Sequence, residues 1–158
     1  MGFGADTLGN SGITACFSKA GLAEGTNAAT IQILGPLGAG IDFAIDSIAY
    51  NKADTDNIAV TAHGVQAVST SCLYLVQINS AGTVSTKKGN EELTADLGVN
   101  KALQWPYPAD NNCSIGGYKI ALDASTTFTN GTTDHGAAGV TDTYYDFAGG
   151  MPLVPQVA

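Results

Sequence analysis

Histidine is the side chain best suited to moving protons near neutral pH, and this 158-residue chain has two, His63 and His135. Each adjoins a glycine in a predicted turn, and neither belongs to the set of nucleophile, base and orienting acid that a triad needs. Both read as surface histidines. Asp54-Thr55-Asp56-Asn57 offers the alternating oxygens that a hard cation takes, but the glycine and terminal glutamate of a calcium loop are missing. It reads as a polar hairpin turn, where Asp and Asn side chains satisfy the backbone. Asp123 with Asp134 is a second cation candidate, equally bare. Glu91 and Glu92 are adjacent, so they point apart on a helix or a strand and form no acid-base pair. Cys16, Cys72 and Cys113 lie far apart, with no CxxC spacing and no histidine at ligand distance, which argues against a disulfide framework or a zinc site. The hydrolase, zinc-protease and nucleotide signatures G-x-S-x-G, H-E-x-x-H and G-x-x-x-x-G-K-[ST] do not occur. The expectation is a protein that is not an enzyme and uses no metal or cofactor.

Composition points to a surface. Charged residues are 13% of the chain against about 25% in ordinary soluble domains, so Thr, Ser, Asn, Gly and Ala must cover much of the exterior. A weakly charged exterior suits packing against copies or partners. The net charge is −8, and every basic residue is a lysine. The one basic doublet, Lys87-Lys88, is followed by Glu91-Glu92, which excludes a phosphate-binding patch and makes nucleic acid an unexpected partner. Neither an apolar run long enough to span a membrane nor a basic-then-apolar leader is present, so cytoplasmic synthesis without membrane insertion is expected.

The elements that would carry such a surface are strands. Ile41, Phe43 and Ile45 alternate with Asp42, Ala44 and Asp46, and period two means a half-buried strand. Residues 52–57 read as the turn to a second strand at 58–62. A second hairpin pairs 70–79, where Cys72, Tyr74, Val76 and Ile78 alternate, with 83–87 across Ser80-Ala81-Gly82. Further strands are expected at 30–34, 115–122, 126–129 and 141–147, with Gly116-Gly117 marking a bulge or a close backbone approach. Residues 91–103 are the only stretch suited to a short helix, and Trp105-Pro106-Tyr107-Pro108 forms a rigid corner after it. Tyr145 and Phe147 are assigned to the core. The fold class expected is all-β, a single antiparallel β-sandwich or barrel over residues 29–150. An extended N-terminal arm, 1–28, with few contacts to that core, and an extended tail, 151–158, flank it.

Residues 41–52 (IDFAIDSIAYNK), 56–62 (DNIAVTA), 71–83 (SCLYLVQINSAGT) and 128–146 (FTNGTTDHGAAGVTDTYYD) resemble a family of small structural proteins of tailed-phage virions. The last of these is the distinctive one. The resemblance implies a virion protein on the capsid surface, a decoration or cement protein whose partners are the major capsid protein and copies of itself in a dimer or trimer. Its contact residues are expected in the arm and among exposed aromatics: Phe3, Leu8, Ile13, Phe17, Leu22, Trp105 and Tyr107. The alternative is a tail or head-fibre module that binds a host-surface ligand through loops at 52–57, 111–114 and 130–139. A small carbohydrate-active enzyme is the remaining reading, and no acid is paired with a nucleophile to support it.

Overall fold

The computed structural model describes residues 12–149. Ten strands run in chain order: β1 (Ala15–Cys16), β2 (Ala23–Glu24), β3 (Thr30–Ile33), β4 (Ile41–Ile45), β5 (Ile48–Lys52), β6 (Thr55–Ala59), β7 (Thr70–Asn79), β8 (Val84–Leu93), β9 (Asn112–Leu122) and β10 (Val140–Asp146). They form a four-stranded sheet, β10-β9-β7-β8, and two three-stranded sheets, β1-β4-β5 and β2-β3-β6. Every strand pairing is antiparallel, and the sheets do not close into a barrel. The fold is an all-β sandwich.

Its main core joins all three sheets. Phe43 and Cys16 from one small sheet and Ile31 and Ile33 from the other pack against Cys72, Tyr74, Val76, Ile78, Tyr118 and Ile120 of the large sheet. The large sheet is also covered on its other face. Residues 94–108 fold back over it, and Leu97, Leu103 and Trp105 pack with Leu73, Leu75 and Phe147. β7 is therefore buried on both sides along nearly its whole length, which the alternation of Cys72, Tyr74 and Val76 alone does not reveal. The glycine pair on β9 is what admits this double packing. A Cβ on Gly117 would run into the Trp105 ring and stand 2.6 Å from the Tyr74 carbonyl, and one on Gly116 would strike Leu22 and the Tyr145 carbonyl. The expected bulge is also present, as a register shift between β7 and β9 at Val76/Gln77.

Several expectations are corrected. The described part of the predicted arm, residues 12–28, belongs to the sandwich. Cys16, Ala20 and Leu22 are buried, the Phe17 N–H donates to the Asp42 carbonyl at 2.8 Å, and the Leu22 N–H donates to Asp146 Oδ1 at 3.1 Å. Small residues there let the backbone lie against its neighbours, and Gly21 (φ 56) passes too close to the Leu34 carbonyl for any side chain. The first hairpin turns at Asp46-Ser47, both with positive φ (51 and 65), and not at 52–57. That sign at both central residues is what a two-residue hairpin turn requires. β5 stays paired with β4 as far as Lys52, and β6 joins β3 in the other small sheet. No α-helix forms at 91–103: β8 continues through Leu93, and one 3-10 turn follows at Thr94–Asp96. Residues 126–129 contribute a single bridge, Gln66 with Phe128. Phe147 is buried, whereas Tyr145 is half-buried over the second cluster. Phe3, Leu8 and the tail 151–158 lie outside the described residues.

β8 is one edge of the large sheet and is fastened by its charges. Lys87 Nζ donates to the Tyr107 carbonyl at 2.6 Å, and Lys88 Nζ donates to the Gly64 carbonyl at 3.1 Å and pairs with Glu91 at 2.8 Å. β10, the opposite edge, carries Asp142 and Asp146.

Candidate contact face and buried polar cluster

Pairing fixes which way the β1-β4-β5 sheet presents its side chains. Cys16, Ile41, Phe43 and Ile45 face the core, so Ala15 and Ala44, paired with each other, face away, as does Ala49 opposite Ala44; of the three, Ala49 is exposed, Ala15 half-buried and Ala44 buried. Phe17, one residue beyond Cys16, turns outward and is 57% exposed. Ile13, held by an N–H bond to Ser47 Oγ at 3.0 Å and by the Ser47 N–H at 2.9 Å, is 64% exposed. Two large apolar side chains thus flank a row of three alanines. Asp42, Asp46 and Asn51 surround them.

Of the other expected contact residues, Tyr107 is 80% exposed but sits on the far side of the large sheet, on the segment that covers it. Leu22 and Trp105 are buried. Leu22 fills the main core above Gly116, and Trp105 lies on Gly117 with its ring edge-on to Phe147 (4.9 Å between centroids) and Tyr145 (5.6 Å). Neither is available to a partner. The loops assigned to ligand binding fare similarly, since most of 52–57 is β5 and β6, and 112–114 opens β9. Only 130–139 remains a loop.

The histidines are not surface residues. His135 is fully buried against Tyr118, Phe128 and Tyr144, with Nδ1 2.7 Å from the Tyr144 hydroxyl and Nε2 without a hydrogen-bond partner among the described residues. Burial pulls its pKa down against the opposing pull of Asp142 and Asp134. His63 is half-buried, and burial lowers its pKa too, with Lys88 adding to the effect and a Thr86 backbone hydrogen bond opposing it. Its Nε2 lies 3.1 Å from the Thr86 carbonyl and 3.2 Å from the Thr86 hydroxyl.

Thr86 belongs to a buried polar cluster between β8, β9 and the turn after Phe128. Asn130, fully buried, donates through Nδ2 to the Thr61 carbonyl at 2.8 Å and to Thr86 Oγ1 at 3.0 Å. Its Oδ1 accepts from the Tyr118 hydroxyl at 2.6 Å. Gln66, also fully buried, bonds Tyr74 in the same way at 3.1 Å and donates to the Ile120 carbonyl at 3.0 Å. From sequence Asn130-Gly131 falls at the start of the expected loop 130–139. An asparagine before a glycine with positive φ (77) marks a turn in either case, and nothing local says that its side chain points inward.

The carboxylates form no metal site: among the described residues no three His, Cys, Asp or Glu side chains are placed to hold an ion. Asp56 accepts from Thr26 and the Asn57 N–H, and Asp123 accepts from Ser125 and Thr126 in its own turn, which holds each below the usual carboxylate range. Asp134 beside Glu24 raises the Glu24 carboxyl. The three cysteines are buried and free, and burial pushes Cys72 and Cys113 up to about 12. No helix is long and apolar enough to cross a membrane among the described residues. Comparison with protein-family models, with curated proteins and with solved structures finds no match to this chain.

Proposed function

We propose that this protein is a capsid decoration protein: it binds the outside of a phage head through the outward face of the β1-β4-β5 sheet and stabilises the shell. The observation that carries the reading is that face, where Ile13 and Phe17 stand out beside the half-buried Ala15 and the exposed Ala49. Exposed aromatic and aliphatic side chains around a flat small-residue floor give burial area at little entropic cost and leave shape to decide the fit. The low charge of the chain and the likeness of residues 128–146 to small virion proteins support the same reading. On a lattice each contact needs only modest strength, because many copies act together.

The test is binding to purified shells that lack the protein. Wild-type chain should bind in a fixed ratio to the major capsid protein, and Phe17→Asp with Ile13→Asp should bind at least about tenfold more weakly while keeping the wild-type urea midpoint. Retained binding by the double variant removes the face from the reading. A handful of copies per particle, in place of a lattice ratio, favours the tail or fibre role.

A further inference from the structure

We propose that Thr86 and Asn130 react with each other, forming an intramolecular ester that joins β8 to the turn after Phe128. The inference is independent of the capsid reading and rests on four groups already in place. A hydroxyl nucleophile, Thr86 Oγ1, is 3.0 Å from the amide nitrogen of Asn130. A base, His63 Nε2, is 3.2 Å from that hydroxyl and 3.1 Å from the Thr86 carbonyl, so it serves as base only when its proton sits on Nδ1. The Tyr118 hydroxyl is 2.6 Å from Asn130 Oδ1, where negative charge develops when the amide carbon is attacked. Thr86, Asn130 and Tyr118 are all buried, so water does not compete as nucleophile.

His63 first shifts its proton from Nε2, where it donates to the Thr86 carbonyl, to Nδ1; Nε2 then takes the hydroxyl proton of Thr86 while Oγ1 bonds to Cγ of Asn130. Tyr118 donates to the resulting oxyanion. As it collapses, the Cγ–Nδ2 bond breaks, and His63 returns its proton to the departing nitrogen. Hydroxyl plus carboxamide become ester plus ammonia, with no oxidant or reductant involved. Burial of His63 favours the neutral imidazole that the first step needs. The ester then spans 44 positions of chain, restricting the unfolded state as a disulfide of that loop length would. The chain's three thiols are buried and free.

The intact mass of the full-length protein, purified folded and then denatured, tests this. The expected mass is about 17 Da below that of the sequence, one ammonia. A lysine-specific digest should show residues 53–87 and 120–158 joined. Thr86→Val should return to its full sequence mass, Thr86→Ser should keep the loss, and Tyr118→Phe should slow it by at least about tenfold. Wild-type protein at full sequence mass overturns the proposal. So does an ammonia loss that persists in Thr86→Val with the two segments separate, because that is succinimide formation at Asn130-Gly131.

Discussion

The layer over the outer face of the large sheet depends on the absence of one methyl group. Gly117→Ala places a carbon within 2.8 Å of Trp105 Cη2, closer still to Cζ3, and 2.6 Å from the Tyr74 carbonyl. The ring can yield, but the carbonyl belongs to the central strand and cannot move without disturbing β7 pairing on both sides. Overpacking of this kind costs about 1–3 kcal/mol, and the fixed carbonyl puts this case at the upper end, about 2–3 kcal/mol. With a urea dependence of about 2 kcal/mol per molar, the unfolding midpoint should fall by about 1–1.5 M. Trp105 is the only tryptophan in the chain, so its emission reports the same event directly. Folded Gly117→Ala should emit further to the red than wild type as the indole tilts away from Phe147 and Tyr145. A midpoint within about 0.3 M of wild type, together with unchanged emission, refutes the account of how residues 94–108 are seated.

Two other outcomes follow from buried titratable groups. His135 and His63 have folded pKa values held below the usual 6.5 by burial, so the unfolded chain binds their protons more readily. Stability from these sites is complete above about pH 6.5 and is lost as pH falls through that value toward the folded ones; urea midpoints measured between pH 8 and pH 5 should show the decline, and His135→Gln should flatten it. The buried thiols Cys72 and Cys113, raised to about 12, together with Cys16, should ignore a thiol reagent at pH 8 in the native protein, and all three should react once it is unfolded in urea.

Period two was enough to place β4 and β7, because alternating apolar residues leave a local record, and β9 and β10 were read from their apolar and aromatic runs between turn signals. Two kinds of information were not local. The hairpin at Asp46-Ser47 lacks the Asn-Gly or Asp-Gly pair that announces such a turn, so the polar run at 52–57 looked like the stronger signal, and the switch of β5 and β6 between sheets was hidden with it. Residues 12–28 have scattered single apolar side chains and many small ones. A segment that donates and accepts hydrogen bonds along an existing sheet edge needs no periodicity of its own, and so it read as an arm. On the proposed contact face, Ile13 and Phe17 were expected from sequence as contact residues, and both are exposed. The alanine floor was not expected, since Ala15, Ala44 and Ala49 meet only through strand pairing. The Thr86, Tyr118 and Asn130 cluster was illegible for the same reason.

The fastened edge of β8 bears on how copies of the chain behave when crowded. An open edge of unpaired N–H and C=O groups recruits the next molecule strand by strand, and a ribbon so begun has no natural length. Lys87 and Lys88 tether neighbouring segments alongside this edge, while Asp142 and Asp146 line the other with like charge. Molecules meeting edge to edge therefore gain little from strand pairing, and no open-ended ribbon starts from either edge of this sheet.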